Sequence, residues 1–567
     1  MQQQPEIRNP KSEIRRKSEI RNPKSEGRRV LDIGSLLGIE AAVLSPSRTG
    51  RTKQGTRFGF RVSFGFRVSD FGFPFSPSWR LILVLASGLP VSTRAAEAPA
   101  PLLSKETQEC INCHSQYQPG LVHDWMESLH SKVTPEDGLK KRPLERRVSS
   151  ENIPAALKGV VVGCYECHGL NATNHKDNFE HFDFRINVVV TPSDCQVCHA
   201  LEAQEFAGSK KAHALGNIQK NPVFHAMVES ATTLMEIQDG KLKPAGSSDQ
   251  TKNDTCYACH GSRVEVVGTR TLNTELGDVV LPKLSNWPNQ GVGRVNPDGS
   301  LGACSTCHPR HSFSIEIARK PFTCSQCHLG PDVPAFEVYE ESKHANIFHS
   351  KERDWNWERV PWRVGVDFRA PTCATCHSSL VTAPEGDIIA PRTHDFGARL
   401  WVRLFGLPYT HPQPRSGDTS LIRNREGQPL PTSFAGDPAA EFLIDAKEQI
   451  RRQALMKGLC RSCHNRDWVD GHFDKLDHTI QETDRMTRVA TDLMTKAWDL
   501  GLADRTNPFD EPIERQWMKQ WLYYANSIRL GSAMSGPDHT SFQTGWFDLT
   551  THLREMQDWL DTRTKTK

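Results

Sequence analysis

The sequence predicts a mainly α fold with little sheet, a core built around prosthetic groups, and a C-terminal helical bundle. Three observations lead there. A C-x-x-C-H motif recurs eight times and uses all 16 cysteines of the 567-residue chain. Between the motifs, short helical stretches alternate with long Pro/Gly loops, without clear alternating strands. Four amphipathic segments then follow one another near the C-terminus.

The motifs are Cys110/Cys113/His114, Cys164/Cys167/His168, Cys195/Cys198/His199, Cys256/Cys259/His260, Cys304/Cys307/His308, Cys324/Cys327/His328, Cys373/Cys376/His377 and Cys460/Cys463/His464. C-x-x-C-H is the attachment signature of c-type haem. Two thiols three positions apart reach both arms of one porphyrin, and the adjacent histidine falls under the iron as proximal ligand. Zinc ribbons and disulfides also use paired cysteines but impose no such histidine. Histidine occurs only 23 times in the chain, so its presence after all eight pairs has a chance probability on the order of 10⁻¹¹. The expected cofactor set is eight covalently bound haem c.

Residues 1–96 contain neither cysteine nor histidine. EIRNPKSE recurs at 6–13 and 19–26, and FGFRVS at 58–63 and 64–69. Codons for KSEIRNPK read on the opposite strand spell FRISDFGF, close to FRVSDFGF at 66–73. An inverted DNA repeat translated in frame accounts for this, so 1–78 reads as mistranslated upstream sequence. At 79–96 a basic residue, a short apolar run and a small-residue end read as a signal peptide. The run is too short for a membrane span. Export to the periplasm or an equivalent compartment, as a soluble protein, is the expectation.

Removing that leader reverses the charge. Residues 1–96 hold 17 Lys+Arg and 7 Asp+Glu, leaving 53 basic and 60 acidic residues, a net of −7. Haem propionates add further negative charge. Nucleic-acid binding is disfavoured, and a basic redox partner such as a small cytochrome c or a quinone-linked cytochrome fits.

From residue 97 there are about 59 residues per motif, too few for an ordinary core, so haem faces supply much of the buried apolar surface. The expected division is a seven-haem region at 97–430 and a helical region at 431–567 carrying the eighth haem. Segment 287–303 (WPNQGVGRVNPDGSLGA) reads as backbone packed closely on porphyrin, and 412–437 as an exposed linker. The C-terminal helices are expected within 439–460, 476–502, 511–534 and 549–560, with Pro512 tolerated in a first turn.

Low-spin haems need a second axial ligand, usually histidine. Candidates are His130, His213 and His344 in polar helix-like segments, and His225, His311, His394, His411 and His472. Any one alone reads equally as a surface or core histidine.

The order of the motifs, with WPNQGVGRVNPDGS, CSTCHPRH, CSQCHLGPD, EVYEESKH, THDFGARL, PYTHPQP, WVDGHFDKLDHTI and WLYYANS, resembles the octahaem hydroxylamine oxidoreductase family. That family includes hydrazine dehydrogenases and related octahaem nitrite reductases. The resemblance runs from about Cys110 to Leu560. It implies a largely α-helical subunit, often a homotrimer, with an open haem at Cys304/Cys307/His308 binding a small nitrogen compound. The other seven haems would be bis-histidine electron carriers.

Two departures bear on chemistry. Family oxidases carry an Asp-His pair after C-x-x-C-H-x-G-P; here it is Asp332-Val333. A tyrosine that bonds to the catalytic haem aligns with His539, in SGPDHTSF, and Tyr409 matches a distal-pocket tyrosine. Asp332, Tyr409 and His539 are therefore the expected catalytic residues, with Tyr523 and Tyr524 as alternative crosslinking tyrosines. Asp332 also reads as a helix cap, Tyr409 as a packed aromatic and His539 as a surface residue. Oxidation sheds protons and needs a base, whereas reduction toward ammonium needs protons delivered. Lacking the crosslinking tyrosine, the chain is expected to reduce nitrite or hydroxylamine. Hydroxylamine or hydrazine oxidation, and a non-catalytic electron conduit, are the alternatives.

Overall fold

A computed structural model of the chain describes residues 102–566; the expected leader, 1–96, lies outside them. About 49% of the described residues are helix and 12% strand, so the fold is mainly α. The principal helices are α1 (Lys105–Tyr117), α2 (Pro119–Glu127), α3 (Ala200–Ala207), α4 (Ala214–Lys220), α5 (Pro222–Thr232), α6 (Ala335–Glu341), α7 (Lys343–Lys351), α8 (Ala446–Arg461), α9 (Arg466–Asp499), α10 (Pro512–Lys519), α11 (Ala525–Met534) and α12 (Trp546–Thr566). Several start on local caps. Ser104 accepts from the Thr107 amide at 3.1 Å, and Asn465 accepts from the Trp468 amide at 2.8 Å, satisfying donors that a first turn leaves free.

Among the described residues the strands form five small sheets, more than the sequence suggested. The reason is visible in two of them, hairpin β1/β2 (Leu234–Gln238 and Lys241–Gly246) and hairpin β3/β4 (Val266–Thr274 and Gly277–Leu284). Both project with most residues exposed. Neither buries a face, so neither shows apolar–polar alternation. The Asp239-Gly240 turn of the first, with both φ positive, was nonetheless a hairpin signal.

The C-terminal helices pack as expected around Met494, Trp498, Ile513, Trp517, Trp521, Met556 and Leu560. That same core takes in Leu407 and Leu430. Segment 412–437 is therefore not an exposed linker: Gln413, Leu430, Thr432 and Ser433 are all buried. Its Pro/Gly content serves tight turns against α9 and α10, not separation. Between α10 and α11 the helix widens into a π-turn at Gln520–Tyr524, a feature that often marks functional positions. No described helix is long and apolar enough to cross a membrane.

Segment 287–303 packs closely on backbone. A Cβ on Gly291 would sit 2.2 Å from the Gly261 nitrogen, and one on Gly293 would sit 2.7 Å from the His260 carbonyl oxygen. The glycine pair thus clamps the fourth motif directly, consistent with the close approach that lack of a side chain permits.

Candidate haem centres

A continuous cavity of about 1580 Å³ runs through the molecule. Cysteines of seven of the eight motifs line it, together with proximal His199, His260, His308, His328, His377 and His464. A chain of this size that encloses so large a space without filling it with side chains is built to hold other groups.

The first motif departs from the expected haem-packed core. Cys110, Cys113 and His114 do not line the cavity. The reason is their place on α1, whose one buried residue is Thr107. Cys110 still meets the second motif through Cys164. Cys113 is half-buried. Its assignment rests on the C-x-x-C-H spacing with Cys110 and His114.

The proximal histidines are pre-oriented. His168 Nδ1 faces the Asn187 carbonyl at 2.7 Å, His260 Nδ1 the Ala214 carbonyl at 3.4 Å, and His377 Nδ1 the Phe396 carbonyl at 3.3 Å. A carbonyl partner places the hydrogen on Nδ1 and leaves the Nε2 lone pair for a metal. Burial pushes His308 down to about 4, so it is a neutral imidazole, the form that binds iron.

Second imidazoles face the first. Ring centroids are 6.1 Å apart for His114–His181, 6.2 Å for His130–His199 and 6.1 Å for His344–His464. Two imidazoles each about 2.0 Å from a shared metal would have centroids about 6.2 Å apart, so these spacings fit an iron between each pair. His311 lies within electrostatic reach of His168. His394 stands in the same relation to His308. Burial holds His130, His311 and His394 each down to about 4, and His411 to about 3. The residues present therefore fit bis-histidine haem c.

The expected distal set changes at several positions. His130, His344, His394, His411 and His472 line the cavity, but His213, His225 and His311 do not. His213 donates Nε2–H to the Ala207 carbonyl at 3.1 Å, and His225 is exposed, 4.0 Å from Glu229 on its own helix. His472 stacks on Trp468, which stacks on His464, and its Nε2 meets the Ala533 carbonyl at 3.1 Å. It sits one ring outside the His344–His464 pair. The residue missed is His181, at the end of the hairpin strand Asn178–His181. In place of His213, Lys211 reaches the cavity, its Nζ 2.7 Å from His328 Nε2.

Of the three expected catalytic residues, only Asp332 lines the cavity. Tyr409 is buried elsewhere, its hydroxyl donating to the Phe434 carbonyl at 2.8 Å. His539 is also buried, its Nδ1 in close contact with Glu341 Oε1. Both belong to packing behind the cavity wall. Asp332 instead bears on Cys256 and Cys259, the fourth motif. Tyr523, inside the π-turn, also lines the cavity and feels the Asp332 charge. Burial raises the Asp332 carboxyl above its ordinary range. Burial, then Asp332, raises the Tyr523 hydroxyl.

Buried cations stand at or near the space; Arg319 and Lys210 line it, and Lys210 has Asp395 as a charge neighbour. Arg399 gives its guanidinium only to backbone carbonyls, those of Thr375, Cys376, Ser379 and Pro391. Arg319 bonds the Trp357 and Arg359 carbonyls and leaves Nε unpaired. Burial holds Arg399 down to about 10, Arg319 to about 9 and Lys210 to about 8. Buried charge is stable only when compensated, and the propionates of haem are anions suited to that place.

The thiols of neighbouring motifs also meet, and their contacts set an order. Cys110 touches Cys164, Cys195 touches Cys304, and Cys324 touches Cys373. Cys167 lies near Cys198, Cys307 near Cys324, and Cys376 near Cys460. The motifs thus run first, second, third, fifth, sixth, seventh, eighth. The fourth joins as a branch, because Cys259 touches Cys327 of the sixth.

Comparison with known proteins agrees with this architecture. Residues 299–386 match the family model "Seven times multi-haem cytochrome CxxCH", and residues 194–279 match "Cytochrome c554 and c-prime". A solved structure titled "Hypothetical multiheme protein" is 43% identical, with a TM-score of 0.76, over 82% of this chain and 96% of that one. The chain is a multihaem cytochrome c. This cytochrome shares its fold, at a TM-score of 0.51 and 18% identity, with the Kuenenia stuttgartiensis reducing HAO-like protein complex, over 81% of this chain and 86% of that one. A curated protein of the same organism, "Probable nitrite reductase-hydroxylamine oxidoreductase fusion protein", is 25% identical over 399 residues, 67% of the cytochrome. The cytochrome spans about 37% of the length of that relative.

Proposed function

We propose that this cytochrome binds eight haems and reduces nitrite or hydroxylamine toward ammonium at the haem of the fourth motif. The observation that supports the reading is that Asp332 and Tyr523 line the cavity, with Asp332 in electrostatic reach of Tyr523 and of Cys256 and Cys259. This reading puts the substrate away from Cys304/Cys307/His308, whose His308 has His394 in electrostatic reach as a second ligand. A haem with one exchangeable position supplies electrons and a binding site for small nitrogen ligands.

The chain's own residues fit the reductive direction. Asp332, with its carboxyl raised by burial, keeps a proton further toward neutral pH than an ordinary aspartate and can deliver it. Tyr523 adds a hydroxyl beside it. The branch position gives the fourth haem one neighbour through which electrons arrive, and the remaining motifs form the line that feeds it. The similarity to a protein named for nitrite reductase and hydroxylamine oxidoreductase supports a nitrogen substrate. An exported cytochrome working with a small redox protein, and assembled as a homotrimer, completes the reading.

Oxidation of hydroxylamine or hydrazine is the second reading, and Tyr523 favours it. A tyrosine lining the cavity beside Asp332 is placed where a crosslinking tyrosine would be useful, and His539 is not. Steady-state assays of purified protein with nitrite, hydroxylamine and hydrazine, using donor and acceptor dyes, separate the readings. Donor-dependent ammonium formation exceeding hydroxylamine oxidation supports reduction. A covalent tyrosine–haem peptide containing Tyr523, with faster oxidation, replaces it.

A further inference from the structure

We infer that Lys211 is the sixth ligand of the haem iron carried by Cys324/Cys327/His328, so that this one centre is histidine–lysine ligated. The inference concerns a different haem from the proposed substrate site and stands independently of the direction of catalysis.

A local structure repeated three times carries it. Trp125-x-x-Ser128-x-His130, Phe206-x-x-Ser209-x-Lys211 and Tyr339-x-x-Ser342-x-His344 share one spacing. In each the aromatic residue and the serine are buried. In each the serine amide donates to the aromatic residue's carbonyl at 2.9 Å; Ser128 and Ser342 cap the preceding helix, and Ser209 follows its cap, Gly208, by one residue. The serine hydroxyl then accepts from a following amide: in the first and third copies that of the third residue on, Ser131 at 3.3 Å and Ala345 at 3.2 Å, and in the second copy that of the second residue on, Lys211 at 3.2 Å. Such a turn delivers the residue two positions after the serine into the cavity. In the first copy that residue, His130, faces proximal His199; in the third, His344 faces proximal His464. In the second it is Lys211, and it faces proximal His328.

The alternatives within the same segment point elsewhere. His213 donates to the Ala207 carbonyl and does not line the cavity. Lys210 lies toward Asp395 and Gly397. Lys211 Nζ and His328 Nε2 are 2.7 Å apart. Two axial bonds of about 2.0 Å need about 4 Å between the nitrogens, a retraction that four rotatable bonds of a lysine arm provide. Binding is a ligand step without redox change. The ammonium releases its proton to solvent, the freed lone pair forms the bond to iron, and the iron keeps its oxidation state.

The position has a consequence for electron flow. The sixth motif touches or neighbours the fourth, fifth and seventh, so the histidine–lysine centre is the junction where the branch meets the line. A primary amine and an imidazole differ as donors, and axial-ligand identity is one of the protein's levers on haem potential. The junction would thereby differ in potential from its bis-histidine neighbours.

Near-infrared magnetic circular dichroism of the oxidised, fully haem-loaded protein tests this, because its ligand-to-metal bands distinguish histidine–lysine from bis-histidine pairs. The wild type should show one haem's worth of the histidine–lysine band. Lys211→Ala should lose that band and gain one haem's worth of high-spin signal. Lys211→His should mature with full haem content and move the band to the bis-histidine position, which keeps the test decisive if Lys211→Ala fails to mature. His213→Ala should leave the band in place. A wild type without the band, an unchanged Lys211→His spectrum, or loss of the band in His213→Ala overturns the inference.

Discussion

Replacing Asp332 with asparagine keeps the size of the side chain and removes its proton. The carboxyl is buried beside Cys256 and Cys259, and burial raises its affinity for a proton. A positioned acid of this kind contributes roughly 10²–10⁴-fold to rate. Asp332 shares the pocket with the Tyr523 hydroxyl, so part of the proton supply survives and the lower end applies. Asp332→Asn should therefore slow nitrite or hydroxylamine reduction roughly 10²-fold, equivalent to about 2.7 kcal/mol of barrier. The sign of the pH dependence follows from the raised carboxyl. The protonated form is the donor, so wild-type reductive turnover should fall as pH rises through the Asp332 pKa, and the variant should lose that limb. The assay is dye-driven ammonium formation from pH 5 to 9, with haem content and low-spin spectra measured in parallel. An Asp332→Asn protein with intact spectra, wild-type turnover and an unaltered pH profile refutes the assignment of Asp332 as proton donor.

His539→Ala should lower stability by about 1–3 kcal/mol, because Glu341 loses its buried partner, while turnover per folded molecule stays within a factor of two or so; thermal unfolding beside steady-state assays checks both. Tyr409→Phe should cost about 1 kcal/mol through loss of the bond to the Phe434 carbonyl, again without a catalytic effect. His181→Ala should convert the haem of the first motif to a high-spin or cyanide-binding form, readable by electron paramagnetic resonance; an unchanged low-spin count removes His181 from the ligand set. His175, 3.3 Å from Asp177 and 3.2 Å from Asp194, is disfavoured as a cation by burial, yet those carboxylates raise it to about 10. The pKa is raised on folding, so its stabilisation is complete below about 6.5 and is lost as pH rises toward about 10. Thermal denaturation from pH 6 to 10 should show this decline in the wild type and a flatter profile in His175→Gln.

What could be read from the residues alone was whatever is local along the chain. A C-x-x-C-H motif places two thiols and a proximal imidazole within one turn of backbone, so haem attachment and the haem-lined core were legible without any fold. That local rule does not say which motifs share the cavity, and Cys113 on the exposed helix α1 lies apart from it. The C-terminal helices were legible too, because amphipathic repeats report burial of one face. Distal partners were not, since each is set by two distant segments meeting across a haem. His114 meets His181, and His308 has His394 in electrostatic reach, separations that no spacing rule covers. The choice between Lys211 and His213 turned on two residues of register, which decides whether a side chain enters the cavity or turns to the Ala207 carbonyl. The resemblance placed the substrate at the fifth motif, but Asp332 follows the sixth motif in the chain and packs beside the fourth in space. His539 and Tyr409 were suggested by alignment with a family pocket, yet both are held behind the wall by Glu341 and the Phe434 carbonyl. Covalent chemistry with short loops is written in sequence; coordination and catalysis join groups on opposite sides of a cavity, and only tertiary packing brings those sides together.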